Sequence, residues 1–250
     1  MVDGLISFRE KFKDFTDCYT VIGGTACSIL LSEADIDFRS TKDIDMILIM
    51  EDRYKEFAQV FWEYIREGKY KCGWRSSNDV HFYRFTDPQY GFPAQIELFS
   101  KKPDYHLDTN SAVVPIHISE DVSSLSAILL NDDFYSFMIN GREVLDGICV
   151  LDAAHLIPFK MYAWLDLSQK KAEGKHVNDR DIRKHKYDVF RLAQLIAPDE
   201  RVEASGDVAE SIKRFLHEIT NESLSLSQIG LSITKDQALD LFRLVYVFKN

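Results

Sequence analysis

Tyr19-Thr-Val-Ile-Gly-Gly-Thr-Ala-Cys-Ser-Ile-Leu-Leu31 and, shortly after it, Arg39-Ser-Thr-Lys-Asp-Ile-Asp-Met-Ile-Leu-Ile49 decide how this chain is read. Tyr19 to Ile22 is a short β-type run, and the residues after Gly23 and Gly24 have helical spacing, so the two glycines sit at a strand-to-helix turn. Such a turn aims backbone N–H groups at an anion, and glycine lets a phosphate approach the backbone closely. The plainer reading is that Gly23 and Gly24 only close a tight turn. In the second stretch Ile44, Met46, Ile47, Leu48 and Ile49 make a largely buried strand, expected over 41–50. A strand alternates its side chains, so Asp43 and Asp45 share one face while Ile44 and Met46 take the other. Two carboxylates on one face of a buried strand repel each other, and a divalent cation removes the repulsion. Mg²⁺ prefers one or two carboxylates completed by phosphate oxygens and water.

A third carboxylate is offered by Glu97, in Pro93-Ala-Gln-Ile-Glu-Leu-Phe-Ser100, where Ala94, Ile96 and Leu98 alternate. If that strand lies beside the first, Glu97 joins the pair; otherwise it is an outward-facing glutamate on a half-exposed sheet. Asp43, Asp45 and Glu97 together suit metal-dependent phosphoryl transfer, in which Mg²⁺ or Mn²⁺ neutralises a nucleoside triphosphate and activates a hydroxyl.

The order Val-Ile-Gly-Gly-Thr-Ala, then Arg-x-Thr-Lys-Asp-Ile-Asp-Met, then Ile-Glu-Leu resembles the nucleotidyltransferase superfamily of the DNA polymerase β type. Within it the chain is most similar to the AbiEii-like group, whose members include toxins of type IV toxin–antitoxin systems. The likeness covers residues 19–50 well and 150–195 loosely. It implies an α+β fold, a small mixed-sheet nucleotidyltransferase domain followed by a helical C-terminal domain; the turn to helical composition after Cys149 places the boundary near 150, giving 1–150 and 151–250. It implies transfer of NMP from an NTP to an acceptor hydroxyl on an RNA or tRNA end, a protein or a small molecule, with an antitoxin as a further partner. It also implies that Lys160 contacts the triphosphate, that Asp188 lies near the nucleotide or the attacking group, and that Lys184 or Lys186 meets phosphate. Thr25 would add a hydroxyl to the phosphate cradle, while Arg39 and Thr41 either buttress the loop or contact phosphate. Two other classes stay open: an aminoglycoside-type small-molecule transferase, and a nucleotide-binding regulator without catalysis.

Periodicity in the C-terminal half bears on the same residues. Lys160 lies four residues from both Leu156 and Trp164, so it projects from an apolar helix face, where an ammonium must snorkel or meet an anion. Pro158 marks a kink or an early turn of that helix. Asp188 shares a face with Leu192 and Leu195, and an ion pair with Lys184, four residues before it, is the ordinary expectation.

Composition agrees with a globular enzyme of two modest domains: 250 residues, 46% hydrophobic, net charge −10. The whole repels nucleic acid, but residues 170–191 carry eight Lys/Arg against four acids. That surplus is either a solvated helix face or a surface for a triphosphate or a tRNA end. Cys18, Cys27, Cys72 and Cys149 have no metal or disulfide spacing and read as buried small hydrophobes in a reducing cytoplasm. No stretch suits a signal peptide or a membrane span, so a soluble cytoplasmic protein is expected. Trp62, Trp74, Tyr83, Phe85 and Tyr90 are core aromatics or base-stacking platforms. Further elements are expected as helices over 5–17 and 52–67, strands over 80–85, 94–99 and 113–118, and a hairpin over 136–150 turning at Asn140-Gly141. Helices follow over 152–170, 179–197, 207–219 and 235–247.

Overall fold

The computed structural model describes residues 3–49, 53–72, 84–100 and 132–249. They form a mixed α/β protein with a mixed sheet and several helices. The chain divides into two compact units, Met1–Leu130 with Arg142–Leu151, and Asn131–Gly141 with Asp152–Asn250. Among the described residues no helix is long and apolar enough to cross a membrane.

In the first unit the described strands are β1 (Tyr19–Ile22), β2 (Asp43–Leu48), β3 (Lys71–Cys72), β4 (Arg84–Thr86), β5 (Gln95–Ser100), β6 (Arg142–Leu145) and β7 (Ile148–Leu151). They make one sheet in the order β3-β4-β5-β2-β1-β7-β6. β2 runs antiparallel to β1 and parallel to β5, with Ile22 opposite Asp45 and Asp45 opposite Glu97. Since paired residues share a face, Tyr19, Val21, Ile44, Met46, Phe85 and Ile96 lie on one side of the sheet. That side is closed by α1 (Leu5–Phe12) and α3 (Tyr54–Glu67). Phe57, Phe61, Tyr64 and Ile65 recur at helical spacing and are buried, and with Phe8, Phe12 and Tyr19 they form a continuous aromatic layer. Phe85 belongs to this layer and Trp62 packs on its edge, whereas Tyr90 stands fully in solvent. Trp74, Tyr83 and the strand expected over 113–118 lie outside the described residues, as does most of the run 80–85. α1 is shorter than its pattern suggests and passes into a 3₁₀ turn, Lys13–Phe15.

The hairpin is not where the strongest turn dipeptide placed it. Asn140 ends a helix, α4 (Asp132–Asn140), and the turn falls at Asp146-Gly147 between β6 and β7. Phe134, Phe137 and Met138 are buried at helical spacing behind two first-turn acids, which favours helix up to Asn140. Gly141 is needed for another reason: a Cβ there would lie 2.1 Å from the His155 ring. Asp146 and Gly147 both have positive φ, 45° and 75°, as a two-residue turn matched to strand twist demands.

The second unit holds α4 with α5 (Ala153–Ala172), α6 (Asp179–Leu192), α7 (Gly206–Thr220) and α8 (Lys235–Val245). Their core gathers Phe159, Trp164, Phe190, Phe215 and Phe242. Asp152 caps α5, accepting from the His155 N–H, and Thr234 and Gln237 cap α8 reciprocally. The last helix ends sooner than expected, because Tyr246–Phe248 forms a strand, β9, paired in parallel with β8 (Val202–Ala204). A three-residue strand leaves almost no periodic trace, so only its partner reveals it. α6 likewise stops at Leu192 and continues as a 3₁₀ turn, Ala193–Leu195.

Pro158 sits inside α5. Its missing N–H would have bonded to the Ala154 carbonyl, one turn back. That carbonyl instead accepts from the Tyr246 hydroxyl at 2.7 Å, fully buried. β9 thus repairs the helix that the proline interrupts.

Candidate functional site

Around the two glycines, sequence and geometry agree on a compact arrangement in the first unit. β1 runs into α2 (Gly23–Glu33) through Gly23, whose φ of +71° suits only glycine without strain. The residue before the helix is Ile22, no side chain caps the first turn and no acid lies in it. The N-terminus of α2 therefore keeps its positive end without a side-chain cap.

Asp45 occupies the space beside that turn: a Cβ on Gly23 would fall 2.1 Å from Asp45 Oδ2. Gly23 is thus required both for its backbone angle and for the carboxylate it admits. On the neighbouring position, a Cβ on Gly24 would lie 3.0 Å from Thr41 Cγ2 and 3.5 Å from Arg39 Nη2. Arg39 and Thr41 accordingly line the turn, and the Arg39 guanidinium also stacks over the Phe38 ring at 4.8 Å. Thr25 is fully buried, and its hydroxyl donates to the Asp43 carbonyl and lies 3.3 Å from Thr41 Oγ1. In this structure Thr25 ties α2 to the start of β2, and so positions Asp43.

Asp43 is exposed at the start of β2 and Asp45 is half-buried, while Ile44 and Met46 between and after them are wholly buried on the aromatic face. β5 does lie beside β2, and Glu97 stands next to Asp45 in register. Its carboxylate is nevertheless engaged elsewhere. Arg84 on β4, the in-register partner of Glu97, brings Nε to 2.6 Å from Glu97 Oε1. Gln95 Nε2 donates to the same oxygen at 2.7 Å. The three carboxylates share one face, yet among the described residues no group of three or more His, Cys, Asp or Glu side chains is gathered closely enough to hold a metal. Asp43 and Asp45 share a face and could supply two ligands to a cation, whereas Glu97 is paired with a guanidinium.

The remaining candidates lie in the second unit. Lys160 on α5 and Asp188 on α6 meet at 3.2 Å, with 3% and 0% of their side chains exposed. The anion that the apolar face of α5 demanded for Lys160 is Asp188. Arg191 approaches the other Asp188 oxygen at 3.6 Å. Lys186 pairs with Glu222 at 2.5 Å, and Lys184 is half-buried on the same helix. Arg84, Gln95 and Arg191 escaped the sequence reading. Arg84 and Gln95 become visible only when strands are aligned, but Arg191 follows Asp188 at helical i,i+3 spacing and was legible.

No protein-family model, curated protein or solved structure matches this chain.

Proposed function

We propose that the chain is a metal-dependent nucleotidyltransferase, moving NMP from an NTP to an acceptor hydroxyl with release of pyrophosphate. One observation carries the reading: two alternate aspartates share a face at the start of a buried strand, and the inner one, Asp45, reaches the glycine turn at an α-helix N-terminus that no side chain caps. Backbone amides with a positive helix end suit phosphate, and the aspartate pair suits a cation that accompanies phosphate. Mg²⁺ or Mn²⁺ bound by Asp43 and Asp45 would supply charge neutralisation of the triphosphate and acidify the acceptor hydroxyl.

The chain's own residues account for the rest. The Gly23-Gly24 turn gives the phosphates close access to backbone N–H groups, and Arg39 beside it adds a guanidinium. Thr25 holds the strand end that carries Asp43. A carboxylate of the pair takes the proton from the acceptor hydroxyl, the new bond forms to the α-phosphorus, and the bond from that phosphorus to the pyrophosphate oxygen breaks.

Incubation with each α-labelled NTP and Mg²⁺ or Mn²⁺, with RNA, protein and small-molecule acceptors resolved separately, is the direct test. Label should appear in one acceptor class and fall at least about a hundredfold in Asp43→Ala with Asp45→Ala, as expected when charge-stabilising groups are lost. Equal labelling by the variant sinks the proposal. A second reading, a nucleotide-binding regulator without transfer, is favoured by the engagement of Glu97 with Arg84 and Gln95; it calls for nucleotide binding and no label in any acceptor.

A further inference from the structure

We propose that Arg84 is a positioning residue that withholds Glu97 from metal, so that the site without nucleotide offers a cation two carboxylates and not three. This rests on the reading of Asp43 and Asp45 as a metal-binding pair and adds a residue that neither the motif nor the resemblance supplied.

β2, β5 and β4 are adjacent, and Asp45, Glu97 and Arg84 stand across them in one row on one face. Glu97 is the least exposed of the charged groups in its pair, at 14% against 39% for Arg84. A carboxylate so placed needs a counter-charge, and either a cation shared with Asp45 or a guanidinium could provide it. The structure assigns the guanidinium: Arg84 and Gln95 converge on Glu97 Oε1. The guanidinium and the carboxylate form a close ion pair, and the positive charge also repels a metal cation from the same spot. Arg84 therefore supplies to Glu97 the counter-charge that a metal ion shared with Asp45 would otherwise bring.

The test is Mn²⁺ titration of the full chain without nucleotide, free Mn²⁺ being read by its electron paramagnetic resonance signal. Wild type, Arg84→Met and Arg84→Gln are compared, each with and without Glu97→Gln, and Asp43→Ala serves as the blank. Arg84→Gln keeps a hydrogen-bonding side chain, so a folded variant remains if the methionine fails, and melting curves verify folding. Removing one positive charge two strands away from Asp45, roughly 10 Å at the usual strand spacing, in a partly solvated site, should tighten Asp43-dependent Mn²⁺ binding by roughly tenfold or more. Adding Glu97→Gln should erase most of that gain, because the freed carboxylate is its source. Asp43-dependent binding of equal strength in wild type and both Arg84 variants overturns this inference alone, and so does a gain that survives Glu97→Gln. Absence of any Asp43-dependent Mn²⁺ binding in every variant overturns the metal reading and this inference with it.

Discussion

Replacing Lys160 with methionine should be among the most damaging single changes in the second unit. It keeps most of the length of the side chain and removes the charge facing Asp188, whose carboxylate has no exposed surface. Removing one partner of a buried ion pair typically costs about 3–5 kcal/mol, since the remaining charge stays in a poorly polarisable interior. Arg191, at 3.6 Å on the other carboxylate oxygen, offsets part of that cost and places the expected loss near the lower end, about 3 kcal/mol. In a chain of this size such a loss lowers the melting temperature by roughly 6–12 °C. Urea unfolding followed by far-ultraviolet circular dichroism measures it. Replacing both partners, Lys160→Met with Asp188→Leu, should recover most of the loss, because no uncompensated charge then remains. A cost of less than about 1 kcal/mol for Lys160→Met, the scale of an exposed pair, or a double variant less stable than the single, would refute a buried, charge-dependent pair. The folded double variant also separates two roles: weakened nucleotide binding in it marks the Lys160–Asp188 pair as contributing to binding, whereas unchanged binding leaves the pair to the core.

Three further outcomes are expected. Tyr246→Phe should cost about 1–3 kcal/mol by leaving the buried Ala154 carbonyl without a donor, and markedly less in a Pro158→Ala background, where the helix regains its own N–H; equal costs in both backgrounds would refute the repair of α5 by Tyr246. Gly23→Ala should destabilise by at least about 1–2 kcal/mol through its left-handed backbone and should abolish Asp43-dependent Mn²⁺ binding by displacing Asp45, which calorimetry with Mn²⁺ checks. Glu200 has its carboxyl raised above the ordinary range, first by burial and then by repulsion from Asp152. The neutral form is therefore favoured by folding, and its contribution is full below the ordinary glutamate range and lost as pH rises through the folded value. Glu200→Gln should be more stable than wild type near neutral pH and level with it in acid, as thermal melts across pH would show.

Much of the candidate site's local geometry was legible in the chain because its parts are local. Tyr19 to Leu31 carries strand, glycine turn and helix in a single stretch, and the alternation around Asp43 and Asp45 orients both carboxylates before any partner strand is known. The helices of the second unit show likewise in the recurrence of buried residues, such as Phe134, Phe137 and Met138, or Val208, Ile212 and Phe215. The hairpin was harder. Asn140-Gly141 and Asp146-Gly147 are equivalent turn signals six residues apart, and the choice between them is made by which flanking residues find a core.

What the amino-acid sequence alone determined is therefore the local chemistry: two aspartates on one strand face, a glycine turn before a helix, and an ammonium on an apolar face in need of an anion. The tertiary structure alone decided how those demands were met. Alignment of three strands turned Glu97 to Arg84, packing of α6 on α5 set Asp188 against Lys160 across 28 residues, and a three-residue strand brought the Tyr246 hydroxyl to the carbonyl that Pro158 had left without its donor. The division is physical. Backbone torsions and side-chain alternation act between neighbours in sequence, whereas the pairing of a buried charge or carbonyl depends on which distant group the fold carries within about 3 Å of it.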